Sequence, residues 1–197
     1  MLDICNYLSL QSVACIAEKY NVGKLINHEI KVASFAAAIF DETRELHRLT
    51  DTYRNLLYCS SLIHDSGYFL NKSKHHKHTR YIILSESILD NIPDCLRKYL
   101  AIVASSHRKK IDKSINFYSE SMQYKLKVLI SILRISDSLD HTHKLGNTLE
   151  NITLGDKYLT LHINSDDFQK TLVKFDIKSQ LFNDIFKVRP RLEMETR

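Results

Sequence analysis

From residue 9 to about residue 145, apolar residues recur at the three- and four-residue spacing of helices with one inward face. Ser9 stands at a cap position ahead of Val13, Ile16 and Ala17. The segment His28 to Leu46 then sets Val32, Phe35, Ala36 and Ile39 at i, i+3, i+4 and i+7, and His28 continues that stripe one turn earlier. Tyr53 to Asp65 is apolar on most sides and stops at Gly67, which predicts a buried helix with His64 and Asp65 in its last turn and a glycine stop. A helix from about His76 to Leu89 carries Ile82 one turn after His78, and Pro93 begins another in which Leu100, Val103, Ala104 and His107 share a face. From Tyr124 to Leu139, Leu126, Ile130 and Leu133 form a stripe that ends in Asp137.

After Gly146 the period changes. Ile152 and Leu154 alternate, Gly155-Asp156 can turn, and Leu159, Leu161 and Ile163 alternate again, so a hairpin is expected. His162 falls between the apolar positions and faces the other way. Asp166 or Asp167 can cap a helix carrying Phe168, Leu172 and Phe175, a short helix can hold Leu181, Phe182 and Ile185, and Val188, Leu192 and Met194 alternate once more. The expected architecture is mainly α: a multi-helix domain over 1–148, with a small α+β subdomain over 149–197 packed on it and contributing no metal ligand.

Composition agrees with long helices, since the 197 residues include only 4 Gly and 2 Pro. At this length about 70% of the unfolded surface can be buried, so the fold needs neither disulfides nor a metal to hold it. Cys5, Cys15, Cys59 and Cys95 are widely spaced with no CxxC pair, and Cys15 and Cys59 fall in apolar stretches, which suits buried free thiols rather than a zinc cluster or disulfide frame, and a reducing compartment. The opening MLDICNYLSL lacks a basic segment, and no apolar run approaches the length of a membrane span, so a cytoplasmic protein is expected. The net charge of +5 is modest, and its visible concentrations are KSKHHKHTR at 72–80 and HRKK at 107–110.

The pattern that carries chemistry is a buried stripe continued by His or Asp on several separate helices. An unpaired carboxylate is costly to bury, and a divalent metal removes that cost. Imidazole and carboxylate donors together suit one or two ions of Mn, Fe, Ni, Co, Zn or Mg, with no thiolate to narrow the choice. In the adjacent pair His64-Asp65, the aspartate can bridge two ions while the histidine ligates one.

Several blocks then resemble a known family in their order along the chain. The opening SV…IAEKY…H…VASFAAAIFDE, the stretch LIHDSGYFLNKSKHHKHTRYII, SSHRKK and LRISDSLDHTH are similar to the HD superfamily of metal-dependent phosphohydrolases. They are most similar to the C-terminal HD domain of the exopolyphosphatase and guanosine pentaphosphatase family. The resemblance implies that His28, His64, Asp65 and Asp137 hold one ion. It also implies that His78 and His107 complete a second, with His76 the alternative to His78 and His75 less favoured. Asp65 would bridge the ions and be catalytic, with Arg108 and Arg134 beside it, while Lys74, Lys77, Arg80 and Lys109 would contact phosphate. Arg134 could instead form a structural salt bridge with Asp137 or Asp140, and the lysine-rich runs could be solvated faces.

The chain departs from the family at Ser66, within what is often HDIG, and at Lys74, where members often carry glycine. The actin-like domains that cleave phosphoanhydrides in full-length members are not in this sequence, so the resemblance extends to the HD site alone. The expected function is a phosphohydrolase acting on a nucleotide, alarmone or other phosphate ester through a metal-activated water. The alternative is a non-catalytic regulatory module that binds a nucleotide or polyphosphate. A phosphorylated small molecule or polyphosphate is the expected partner. A homodimer stays open, a membrane is not expected, and nucleic acid is disfavoured because the basic residues have few interleaved aromatics.

Overall fold

Ser9 caps the first helix as its position predicts: its hydroxyl accepts the Ser12 N–H, and α1 runs over Leu10–Tyr20. The computed structural model describes residues 1–21, 27–108, 110–143 and 146–195. The long segment expected from His28 forms α2 (Asn27–Glu42) and a short α3 (Arg44–His47), divided at Thr43, whose hydroxyl donates back to the Ile39 carbonyl. Next come α4 (Asp51–Leu62), α5 (His75–Ser85), α6 (Asp94–Ser105) behind Pro93, and α7 (Glu120–Leu139), capped by Ser119. A turn of 3-10 helix, Ser66–Phe69, joins α4 to α5.

The helix α7 is the axis of the fold. All its residues from Val128 to Leu139 are buried, because α2, α4, α6 and the C-terminal helices each pack on one of its sides. The last part of the chain forms the expected hairpin of β1 (Thr148–Leu154) and β2 (Tyr158–Asn164), then α8 (Phe168–Lys178), α9 (Gln180–Phe186) and β3 (Arg189–Met194). Asp167, rather than Asp166, caps α8 by accepting the Lys170 N–H. The sheet order is β1-β2-β3, with β1 and β2 antiparallel and β3 parallel to β2. Leu159, Leu161, Phe175 and Phe182 are fully buried and join one apolar core with the helices of 1–140. Among the described residues, no helix is long and apolar enough to cross a membrane.

Three local expectations are corrected. Cys59 is buried as expected, but Cys15 is exposed, because the inward face of α1 is Val13, Ile16 and Ala17. The helix α4 ends at Leu62, so His64 and Asp65 lie in the turn beyond it and not in its last turn. Gly67 does not act as a left-handed stop, since its φ lies outside that region; it is required by a close approach. A Cβ there would sit 2.0 Å from the His75 carbonyl oxygen and 2.4 Å from the Thr79 nitrogen. Thr79 locks this contact: its hydroxyl accepts the Gly67 N–H at 3.0 Å and donates to the His64 carbonyl at 2.8 Å. The turn that carries His64 and Asp65 is thereby held against the first turn of α5.

This contact predicts that Gly67→Ala destabilises the fold by about 1–3 kcal/mol, the usual cost of forcing extra volume into a packed site. Urea denaturation reads the change; an unaltered midpoint would show that α5 does not rest on this turn.

Candidate metal centre

Four histidines from four helix ends meet around one aspartate. His28 enters from the start of α2, His64 from the turn after α4, His75 from the first residue of α5 and His107 from just beyond α6. Their orientation has a common cause. Three of them bond through Nδ1 to the carbonyl three residues back: His64 to Ser61 at 2.7 Å, His75 to Lys72 at 3.2 Å and His107 to Ala104 at 2.7 Å. A carbonyl accepts only, so Nδ1 carries the proton in each. For His64 and His107 the acceptor is a last-turn carbonyl left over at a helix C-terminus, which explains why both histidines stand just past a helix end. His28 is oriented differently, by a 2.9 Å bond between Nδ1 and Oδ2 of the buried Asp140.

All four Nε2 atoms therefore turn inward. Asp65 Oδ1 lies 3.6 Å from Nε2 of His64, 3.3 Å from that of His75 and 3.5 Å from that of His107, while Oδ2 is 3.9 Å from His28 Nε2. Asp137 Oδ1 faces the His28 and His64 nitrogens at 3.7 and 3.8 Å. The donor atoms fall into two groups, one of His28, His64 and Asp65 and one of Asp65, His75 and His107, with all atoms of each group within 4.8 Å of one another. Asp65 belongs to both.

These residues fit divalent ions. The His28 and His64 Nε2 atoms are buried with no hydrogen-bond partner, an arrangement that a folded core rarely tolerates. The His75 and His107 Nε2 atoms face each other at 2.9 Å, lone pair to lone pair if both rings are neutral. For metal–ligand bonds of about 2.1 Å, neighbouring donors are about 3.0–3.4 Å apart, close to the spacings around Asp65 and shorter than the His28–Asp65 gap. Each ring is also held from behind by an acceptor on Nδ1, as imidazole ligands of metals usually are.

The electrostatics of the cluster are those of a dense buried charge site. Burial opposes charge on His64, but Asp65 and Asp137 outweigh it and raise the ring to about 9. Burial carries His107 down to about 3, with His64 adding to the shift. Burial also works against ionised Asp65 and Asp137. The surrounding cations nevertheless hold both carboxyls well below the usual range, His64 foremost for Asp65 and Lys178 foremost for Asp137.

The other sequence-derived residues divide by place. His75, the less favoured alternative, takes the position expected of His78. The reason is the close contact at Gly67, which brings the first residue of α5 onto Asp65; His78, one turn further on, is half-buried and joins neither donor group among the described residues. His76 is also outside both groups. Lys74 and Lys77 are exposed on the same turn as His75, and Lys74 holds a left-handed φ of 58°, a conformation that suits the glycine of the resembling family. Arg80 pairs with Asp112 at 2.6 Å and does not reach the cluster. Arg108 is exposed, near enough to Tyr68 and His76 for its charge to act on both. Arg134 bonds neither Asp137 nor Asp140. Its Nε donates to the Ser106 carbonyl at 2.9 Å, beside His107, and its Nη2 is buried without a partner. Lys109 lies outside the described residues.

Two residues of the cluster were missed in the sequence. Asp140 follows Asp137 at i+3 on the α7 face, a spacing that could have flagged it as a second carboxylate of the site. Lys178, from α8, bonds Asp137 Oδ2. The stripe Thr171–Phe175 continues to Lys178 at i+7, the same signal that marked the histidines but ending in a cation.

A cleft of about 500 Å³ opens from the His28–Asp65 side, lined by Tyr20, Tyr68, Phe69, Lys72 and His141 among others, large enough for a small-molecule ligand. Residues 9–179 match the family model described as Ppx/GppA phosphatase, domain III. None of the curated proteins compared with the chain matches it.

The opposed shifts of His64 and His107 predict how the protein without metal responds to pH. The stability from His64 is fully present below its ordinary value of 6.5 and is lost as pH rises from there through about 9. That from His107 is fully present above 6.5 and is lost as pH falls from there through about 3. Chelator-treated protein should accordingly be most resistant to urea near pH 6.5, with a lower midpoint at pH 5 and at pH 9. A midpoint rising steadily across that range would refute the assignment.

Proposed function

Because the chain belongs to the Ppx/GppA phosphatase domain III family, we propose that it is an HD-superfamily, metal-dependent phosphohydrolase acting on a nucleotide, alarmone or other phosphate ester. The observation that carries this reading is the ring of four inward Nε2 atoms, each backed by an acceptor on Nδ1, around the shared Asp65. His28, His64, Asp65 and Asp137 are assigned to one divalent ion, and Asp65, His75 and His107 to a second. His75 replaces His78 in this set. When bound, a pair of such ions makes water a better nucleophile and neutralises charge on a phosphoryl group.

The protein's own groups do the positioning. Asp65 uses one oxygen towards His64, His75 and His107 and the other towards His28, so it fixes the two donor groups relative to each other. Asp140 holds the His28 ring in the tautomer whose Nε2 faces inward. Arg134 steadies the Ser106–His107 turn through the Ser106 carbonyl. Arg108, Lys74 and Lys77 are exposed on the segments flanking the His75–His107 pair, where they supply a positive approach for an anionic substrate. The aromatic side chains of Tyr20, Tyr68 and Phe69 in the cleft suit a planar base beside the phosphate.

The deciding experiment incubates the purified protein with Mn²⁺, Co²⁺ or Mg²⁺ against a panel of nucleotides, alarmones, cyclic nucleotides and polyphosphate. Phosphate release or diester cleavage from at least one member is expected, falling to the uncatalysed background in Asp65→Ala. His75→Ala and His107→Ala should weaken the second ion by at least about 10–100-fold, the loss expected even of an outer partner, while leaving the first. Binding across the panel with no turnover would instead support the non-catalytic regulatory module.

A further inference from the structure

The helix α8 lies outside the set of helices that supply the histidines, yet its last residue reaches the centre. Thr171 and Phe175 are completely buried and seat one face of α8 against α7. The same face ends in Lys178, whose ammonium donates to Asp137 Oδ2. Asp137 is thus read from two sides, with Oδ1 towards the His28 and His64 nitrogens and Oδ2 towards Lys178. The lysine occupies the oxygen that the histidines do not face. It need not leave for an ion to sit among them.

Lys178 also retains exposure, with 23% of its side chain accessible, and an ammonium has three donors of which Asp137 takes one. An unpaired ring nitrogen lies close to it. His141, which lines the cleft, has a buried Nδ1 with no partner, and burial followed by the charge of Lys174 keeps that ring below its ordinary value, with Lys178 contributing and Asp137 and Asp167 opposing. His141 thus stands between the cleft that holds His28 and Asp65 and the charge of Lys178.

Resting on the metal-centre reading above, we propose that Lys178 is a substrate-recognition residue whose remaining N–H groups bind a phosphoryl oxygen of the ligand beside Asp137, with His141 as the neighbouring contact. The C-terminal subdomain then has a direct part in the chemistry: it carries a cation to a centre whose other groups come from the helical domain. A compact ammonium suits this position, since it can hold a carboxylate and a phosphoryl oxygen at once.

The test separates metal from phosphate. Calorimetry measures Mn²⁺ binding, then inorganic phosphate binding to the Mn²⁺-loaded protein, for the wild type, Lys178→Met and Lys178→Arg. Methionine keeps the apolar stem and removes the charge. In Lys178→Met, Mn²⁺ affinity should be unchanged or tighter, because a cation has been taken from the ligand Asp137, while phosphate affinity falls by about tenfold or more, the loss expected for a charge-assisted hydrogen bond. Lys178→Arg should restore phosphate binding to within about threefold, since the charge and donors return. Unchanged phosphate affinity in Lys178→Met overturns the role of Lys178 alone, and so does a loss of Mn²⁺ affinity that accounts for any loss of phosphate. Wild-type protein that binds Mn²⁺ but not phosphate overturns it too. Wild-type protein that binds no Mn²⁺ overturns the metal-centre reading and this proposal with it.

Discussion

An aspartate nearly enclosed by imidazoles is the constraint on which the rest of the structure depends. Asp65 sits between two pairs of histidines at the floor of the cleft, largely out of water, where an uncompensated carboxylate would be costly. The ring nitrogens cannot all satisfy it by hydrogen bonding, because their Nδ1 atoms are committed elsewhere and the Nε2 to oxygen distances of 3.3–3.9 Å are too long. The demand is met by bringing helix ends, rather than helix faces, to one point. Helix ends carry leftover carbonyls, and these are what fix the His64 and His107 rings. The tight glycine contact at position 67, the hydroxyl of Thr79 and the full burial of α7 all hold those ends in place.

The periodicity of the sequence was enough to find the helices, the hairpin and the polar continuation of the buried stripes, because amphipathic spacing is a local property. His28, His107 and Asp137 were legible for that reason, whereas His64 and Asp65, in the turn beyond α4, stood out as an adjacent pair and through the family resemblance. What could not be read was the register of α5 against the preceding turn. His75, His76 and His78 are near neighbours with similar local surroundings. The choice among them is made by the Gly67 backbone pressing on the His75 carbonyl, a contact between segments that no helical period encodes. The resemblance to the HD superfamily favoured His78 for the same position, and the geometry favours His75.

Asp140 and Lys178 carried a spacing signal but not their partners. A carboxylate at the end of α7 and a lysine at the end of α8 are ordinary helix-end residues, the lysine being well matched to a helix C-terminus. Only the packing of α8 on α7 turns Lys178 towards Asp137, and only the start of α2 beside α7 brings His28 to Asp140. The segment 149–197 is consequently more than a prop for the helices before it. It shares the apolar core through Leu159, Leu161, Phe175 and Phe182 and presents a cation to the buried carboxylates.

Whether two ions share Asp65 decides the assignment of the centre. Crystals of the protein grown with Mn²⁺ and measured at the manganese edge answer this directly through anomalous difference density. The predicted result is two peaks about 3.5–4 Å apart, one against His28, His64, Asp65 and Asp137 and the other against Asp65, His75 and His107. Density absent from both positions, or present only at carboxylates elsewhere on the surface, would contradict it.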